Sequence, residues 1–199
     1  MAQRQAVREK LCRSSTVSLG FVHHKLTIDK YEQMIRAGIL TENDRVELIR
    51  GELLEKMPVG DAHVNVVNRL NRLFSKQAGD AVIVSVQNPI RLEESEPEPD
   101  IALIRAEGVT GKPDARDLYL VIEVADSSLD FDRAIKLPLY AEAGIPEFWI
   151  VNLLDDQIEI YRQPQRDGTY GETLTLRRGA SLEVIALPGI RFTVADVLG

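Results

Sequence analysis

The fold of this 199-residue chain is decided by the segment LYLVIEVADSSLDFDRAIKLPLYAEAGIPEFWIVN, residues 118–152. Its first part, residues 118–122, is an apolar run typical of a buried strand, and Glu123 closes it. A polar turn follows, then a helical stretch ended by Gly144, then a second apolar strand at residues 148–153. A strand, helix and strand of this length predict a parallel crossover. We therefore expect the loop after Glu123 at a carboxyl edge of the sheet, where sites in α/β folds tend to form.

A second acidic residue stands at the start of an apolar strand further upstream. Asp100 follows Pro99 and precedes the apolar run at residues 101–104. Burying a lone carboxylate is costly unless a cation or hydrogen-bond donors meet it. Asp100 and Glu123, each on a core strand, therefore call for a metal ion or a basic partner. An aspartate that merely satisfies a turn is the structural alternative for Asp100.

The remaining segments predict two helices and several strands around this pair. One helix begins after Thr27 and ends at Gly38, and a long amphipathic helix runs from Asp61 to Gly79. A hairpin or bent strand pair is predicted at residues 45–57, and two short strands are predicted at residues 81–86 and 89–92. A terminal hairpin is predicted at residues 157–161 with 173–176, and a last helical turn at residues 193–198.

Length, hydrophobic content and cysteine count limit the class of protein to which the chain can belong. The length suits one domain, and 44% hydrophobic residues are enough for a core. Because no apolar run approaches the roughly 20 residues of a membrane helix, we expect no membrane segment. The single cysteine, Cys12, cannot form an internal disulfide, which favours a cytoplasmic protein.

Residues 1–24 are basic and lack the apolar stretch of a secretory signal. We expect them to form a disordered tail before one domain at residues 25–199, with a transit peptide as the alternative. The first 18 residues carry a net charge of +3; removing it from the net of −7 leaves −10 for the rest. Such a charge argues against a protein that coats nucleic acid, but not against a nuclease, because bound metal ions restore attraction to phosphate.

Phosphodiester hydrolysis is the chemistry that these residue types permit. Magnesium prefers carboxylate and carbonyl oxygens, and a bound ion polarises the phosphoryl oxygen and acidifies water. Asp100 and Glu123 suit such an ion if their strands pair, since side chains across a ladder lie within about 5 Å of each other. The carbonyl of Val124 is a third candidate ligand. Lys136 is the lysine best placed to stabilise developing charge or to position the nucleophile.

Two helix starts are compatible with the segment that carries Lys136. If the helix begins at Asp132, then Asp132, Lys136 and Tyr140 share one face, but Pro138 would kink the helix. If it begins near Leu137, Pro138 falls in the first turn and the shared face is lost. An ion pair with Asp132 at i, i+4 is the structural alternative for Lys136.

The motifs resemble a known group of nucleases. Pro99 and Asp100, a gap and then Glu123 are similar to the PD-(D/E)XK nuclease superfamily. The run at residues 123–152, together with VELIRGELLEKMP at residues 46–58, resembles more specifically the bacterial Uma-two-like family of restriction endonucleases. The resemblance implies a restriction-endonuclease-like core: a central mixed β-sheet flanked by helices, with an extra C-terminal β-hairpin. It also implies Mg²⁺ (or Mn²⁺) as cofactor, DNA as substrate and a homodimer as a reasonable assembly.

One position departs from the superfamily pattern. The usual lysine comes two positions after the glutamate, where this chain has Ala125. In the resembling family the lysine stands in the following helix, which matches Lys136. Glu52 and His63 also lie in stretches that resemble the family, and either residue could complete a metal or water site. A ring that packs on the sheet is the alternative for His63, and Tyr140 is expected in the core.

The leading hypothesis is a cytoplasmic, metal-dependent endonuclease acting on DNA, with Asp100, Glu123, Lys136, Glu52 and His63 as site residues. Two alternatives stay open. Ala125 and the negative charge favour a catalytically inactive nuclease-fold module that serves as a binding or regulatory partner. The same metal site would also support hydrolysis of small nucleotide substrates.

Overall fold

The computed structural model describes residues 24–199, so the predicted basic tail lies outside the described residues except for its last one. Helix α1 (Ile28–Arg36) begins where the sequence predicts. The hydroxyl of Thr27 caps it by accepting a hydrogen bond from the backbone N–H of Lys30 at 3.3 Å.

The next segment is the predicted hairpin. Strands β1 (Val46–Ile49) and β2 (Glu52–Glu55) pair antiparallel. Gly51 forms their turn with a φ of +79°, and a Cβ at this position would lie 2.8 Å from the Cβ of Lys25. Only glycine therefore meets both the backbone conformation and the close approach.

Six strands form the central sheet, and they lie in it in the order in which they follow along the chain. The pairing of β5 with β6 is parallel and the other four pairings are antiparallel, which confirms the predicted mixed sheet. The strands are β3 (Val82–Val86), β4 (Ile101–Arg105), β5 (Leu118–Ala125), β6 (Glu147–Asn152), β7 (Gln157–Pro164) and β8 (Tyr170–Arg177).

The parallel crossover from β5 to β6 contains one helical stretch with an irregular middle. Helix α3 (Leu129–Phe131) leads into a π-helical turn (Asp132–Lys136), and helix α4 (Leu137–Glu142) follows with proline in its first turn. The N–H of Leu137 donates to the carbonyl of Asp132, five residues back. This wider turn lets the helical stretch continue up to and past the proline. Helix α4 thus begins at Leu137 with Pro138 in its first turn, as the second predicted start has it, whereas the helical stretch as a whole begins at Leu129, three residues before the first predicted start.

The sheet is covered on both faces. Helix α2 (Asp61–Gln77) packs on one face, where the ring of Phe74 lies 6.1 Å from that of Trp149. The crossover helix packs on the other face, where the rings of Tyr140 and Phe148 lie 5.0 Å apart, edge to face. The result is a layer of sheet between two layers of helix.

The C-terminal part also follows the prediction. Strands β7 and β8 form the expected hairpin, a further pair β9 (Ser181–Glu183) and β10 (Arg191–Thr193) follows, and helix α5 (Val194–Leu198) ends the chain. The predicted strand at residues 89–92 is wrong. Ile90 and Leu92 are buried as a strand would require, but only isolated bridges form there because Leu92 bonds back to Ser95 in a tight turn. Within residues 24–199 no helix is long and apolar enough to cross a membrane.

Candidate active site

Strand register brings the two predicted carboxylates together. Strands β4 and β5 pair antiparallel with Ile101 opposite Ile122. Continuing this register by one residue places Asp100 opposite Glu123. The exposed fraction is 8% for Asp100 and 6% for Glu123. The two acids thus lie buried and adjacent at one edge of the sheet, as the sequence predicts.

Asp100 is held by donors from three directions. Its Oδ2 accepts a hydrogen bond of 2.8 Å from the backbone N–H of Val124 and lies 2.9 Å from Nε2 of His63. Its Oδ1 accepts a hydrogen bond of 3.2 Å from the side chain of Gln87. Burial would lower the pKa of His63, but the hydrogen bond and charge of Asp100 raise it overall. The structure therefore brings the predicted His63 into the site through Asp100.

Glu123 lies in a drier environment. The hydroxyl of Tyr140 donates a 2.6 Å hydrogen bond to its Oε1, and Nζ of Lys136 lies 3.5 Å from the same oxygen. Burial raises the pKa of Glu123 to about 8, against the lowering effect of Lys136. Sequence reasoning placed Tyr140 in the core without a role. The structure shows it as a direct hydrogen-bond partner of the candidate metal ligand.

Lys136 is buried, with an exposed fraction of 3%, and its main partner is Glu47. Its Nζ lies 2.7 Å from Oε2 of Glu47. Burial would lower the pKa of Lys136, but Glu123 and Glu47 raise it overall, so the side chain stays charged. The π-helical turn directs Lys136 and Asp132 inward, and Asp132 accepts its hydrogen bond from Ser128 at 2.7 Å. Lys136 therefore pairs with Glu47 of the hairpin and Glu123 of the sheet, not with Asp132 at i, i+4 along its helix.

Glu47 occupies the place that the sequence reasoning gave to Glu52. Glu52 is exposed beside the turn of the hairpin, opposite Ile49, whereas the site lies at the open end. Glu47 stands two residues further from that turn, is 5% exposed and also accepts the N–H of Glu98 at 3.1 Å. A signal for Glu47 exists in the sequence. It is an acid set among strand-forming apolar residues, as Glu123 is.

These side chains line a cavity of about 450 Å³. Among residues 24–199, eight of the lining residues are aspartate or glutamate and three are lysine or arginine, so this part of the chain gives the cavity an excess of negative charge. Asp132 is one of the eight acids, and burial raises its pKa to about 6. A cavity of this composition favours cations or protons and repels a bare phosphate.

The site offers carboxylate oxygens, the type of donor that a magnesium-type ion prefers. Among residues 24–199 no three or more His, Cys, Asp or Glu side chains are grouped to hold an ion by themselves. Asp100, Glu123 and Val124, the ligands that the sequence predicts, all line the cavity. One or two carboxylates, with water and substrate phosphate as the other ligands, are the usual set for Mg²⁺.

A mixed sheet between helices, with two opposed acids and a lysine at one edge, defines the class of α/β proteins with a restriction-endonuclease-like core. The chain belongs to the Uma2 family, whose model carries the description "Putative restriction endonuclease" and matches residues 28–195. The fold is similar to the crystal structure of "a putative nuclease belonging to DUF820" from Anabaena variabilis. The two share 14% sequence identity at a TM-score of 0.71, over 87% of this chain and 97% of that one. Among curated proteins, no relative matches.

Proposed function

We propose that this protein is a divalent-metal-dependent endonuclease that hydrolyses phosphodiester bonds of DNA, with Mg²⁺ or Mn²⁺ as its ion. The observation that carries the proposal is the opposition of Asp100 and Glu123 across β4 and β5, beside the buried ammonium group of Lys136. The family to which the chain belongs supports the same reaction class.

In this proposal Asp100 and Glu123, with the carbonyl of Val124, hold the ion. The bound ion would polarise the phosphoryl oxygen and lower the pKa of a water molecule. His63 fixes the orientation of Asp100, since its Nε2 lies 2.9 Å from Oδ2. Tyr140 fixes Glu123 in the same way through its 2.6 Å hydrogen bond. Both carboxylates are thereby held in a fixed orientation. In metal sites, such hydrogen bonds from neighbouring groups orient the ligands.

Lys136 supplies a fixed positive charge next to the ligands. Glu47 holds its Nζ at 2.7 Å, so the ammonium group stays charged and oriented although it is buried. From this place it stabilises negative charge that develops on the phosphoryl group, or positions the attacking water. Ala125, the position of the usual motif lysine, lies two residues beyond Glu123 on the same strand. Lys136 thus supplies from the helix what position 125 lacks.

The charge of the cavity supports metal dependence. Eight acidic against three basic lining residues would repel the DNA backbone in the absence of an ion. A bound divalent cation offsets part of this charge and creates the attraction that phosphate needs.

We place the enzyme in the cytoplasm, in line with its single cysteine. A homodimer would bring two sites to one duplex, and the mass of the protein in solution tests that assembly.

The experiment is calorimetric titration of Mg²⁺ and Mn²⁺ into the wild type and Asp100→Asn, with supercoiled plasmid cleavage on the same preparations. Wild type that binds the ion and cuts, next to a variant that does neither, supports the proposal. Glu52→Gln is the control, since Glu52 is exposed outside the cavity. A wild type that binds no ion with DNA present and leaves the plasmid intact points instead to a noncatalytic module.

A second candidate is hydrolysis of small nucleotide substrates. The observation that favours it is the cavity itself, whose volume of about 450 Å³ suits a small ligand and to whose lining the described part of the chain contributes few basic residues. Metal-dependent cleavage of dinucleotides without cleavage of plasmid or duplex oligonucleotides would select this candidate.

A further inference from the structure

We infer that Arg133 and Glu159 form a clamp that positions Lys136, an inference that rests on the proposed function. Arg133 belongs to the same π-helical turn as Lys136, and Glu159 lies on β7. Nε and Nη2 of Arg133 donate to the two carboxylate oxygens of Glu159 at 3.0 and 2.5 Å. Such a two-point contact fixes the orientation of a side chain as well as its distance.

Glu159 is itself firmly held. Asn152 and Gln157 donate to its Oε1 at 3.0 and 3.2 Å, and the hydroxyl of Tyr161 donates to its Oε2 at 2.8 Å. Burial would raise the pKa of Glu159, but Arg133 and these donors lower it to about 2. The carboxylate therefore stays ionised at any working pH, and the clamp is a fixed restraint on the helical turn.

The clamp acts on the row of the sheet that carries the site. Glu123 stands opposite Ile150 across β5 and β6, and Ile150 stands opposite Glu159 across β6 and β7. Glu159 is therefore two strands from Glu123 along one row. Arg133 ties the π-helical turn to this row on one side, while Lys136 reaches Glu123 and Glu47 on the other.

The turn needs a restraint because of its hydrogen-bonding pattern. π-helical turns are rare, occur mostly as single turns inside α-helices and are frequent at functional sites. Relaxation to α-helical bonding would rotate Lys136 about the helix axis and move its Nζ away from Glu47. The flexible stem of a lysine cannot by itself hold that position. Arg133 keeps the turn in place without touching the cavity-lining acids.

A second buried ion pair offers a matched control. It joins β6 and β7 at the end of these strands opposite to Glu159. Arg162 on β7 donates to Oε1 of the buried Glu147 on β6, from Nε at 3.0 Å and Nη2 at 2.8 Å. Glu147 also accepts from Trp149 and from the N–H of Ile185. None of these partners belongs to the π-helical turn. Breaking this pair should cost stability without moving Lys136.

The test compares Arg133→Gln, Glu159→Gln, Arg133→Lys and the control Arg162→Gln in the full chain, by Mg²⁺-dependent DNA cleavage and melting temperature. We expect kcat to fall by about tenfold to a hundredfold in Arg133→Gln and Glu159→Gln, with KM for DNA nearly unchanged. Arg133→Lys should regain part of the loss, and Arg162→Gln should lower the melting temperature while keeping kcat. A rise in KM alone would indicate that Arg133 contacts the substrate. An equal loss of kcat in Arg162→Gln would indicate that any broken ion pair lowers activity. Either result overturns the clamp.

A wild type that cuts no DNA would refute the proposed function alone. In that case, hydrogen exchange of the backbone amides of residues 133–137 decides whether the clamp holds the turn. Faster exchange in Arg133→Gln than in Arg162→Gln supports the clamp. Unchanged exchange, or the same increase in both variants, overturns it.

Discussion

The ammonium group of Lys136 lies 2.7 Å from Glu47, a residue 89 positions away in the chain, and both side chains are buried. Glu123 shares the same ammonium group at 3.5 Å. Two carboxylates therefore depend on one buried cation, with Asp100 and Asp132 close enough to affect the pKa of Glu123. The cluster has more negative than positive charge, and a proton or a metal ion relieves the imbalance.

Glu123→Gln should abolish metal-dependent cleavage, by at least about a hundredfold in kcat, since it removes a charged ligand from the reacting centre. The melting temperature without metal should stay the same or rise, because a neutral amide avoids the burial cost of the charge. Plasmid cleavage and thermal unfolding in EDTA measure the two effects. Glu52→Gln, at an exposed position, should match the wild type in both. Full cleavage by Glu123→Gln contradicts the assignment.

The metal-free protein should lose stability as pH rises from about 5 to 8. Burial raises the pKa of Glu123 to about 8 and that of Asp132 to about 6, while both titrate near 4 in an unfolded chain. The folded state therefore binds more protons than the unfolded state within this window, and the free energy of unfolding falls with pH. The raised pKa of His63 acts in the same direction. The lowered pKa of Glu159 matters only below about pH 4.5.

The measurement is the melting temperature in EDTA between pH 5 and pH 8, for the wild type and Glu123→Gln. The melting temperature should fall less steeply with pH in the variant. The variant lacks Glu123, which of the two carboxyl groups has the larger difference between its folded and unfolded pKa. A wild-type melting temperature that rises with pH, or equal slopes in the two proteins, would show that Glu123 is not the titrating group.

The sequence was sufficient for most of the strands, for the crossover and for four residues that the structure brings together, namely Asp100, Glu123, Lys136 and His63. Apolar runs with an acid at one end predict both a buried strand and its carboxylate, and this pattern located Asp100 and Glu123. Register, which the local pattern did not specify, turned out to oppose them. His63 came into the site because it stands at the start of α2, close to the edge where Asp100 precedes β4.

Contacts between distant segments could not be read from the sequence. The pair of Lys136 and Glu47 joins the crossover helix to the first hairpin, and no local periodicity reports such a distance. Glu52 was a candidate because its stretch resembles the family, and the turn around Gly51 does not reveal which end of the hairpin meets the site. Pro138 signalled an irregularity in the helix, but a π-helical turn follows from tertiary packing and not from helix propensity.

Lys136→Met should lose cleavage and also destabilise the fold by about 3 kcal/mol, because it leaves Glu47 and Glu123 buried without their cation. The double variant Lys136→Met with Glu47→Gln should recover much of that stability, since the unpaired charge is removed, but no cleavage. Denaturant unfolding and plasmid cleavage report the two outcomes. Equal stability of the single and double variants would show that Glu47 does not depend on Lys136.

Tyr140→Phe should reduce kcat by about tenfold while preserving the fold, because it removes the 2.6 Å hydrogen bond that orients Glu123 and leaves the ring in place. The lost hydrogen bond should also cost about 1 kcal/mol of stability. Tyr170→Phe is the matched control, since its buried hydroxyl donates to the carbonyl of Ile145 at 3.1 Å, away from the cavity lining. It should lose similar stability and keep its kcat. Equal kcat in the two variants would reduce Tyr140 to the core residue that its sequence position suggests. A loss confined to Tyr140→Phe, together with weaker Mg²⁺ binding by calorimetry, would tie that hydroxyl to the orientation of the metal ligand.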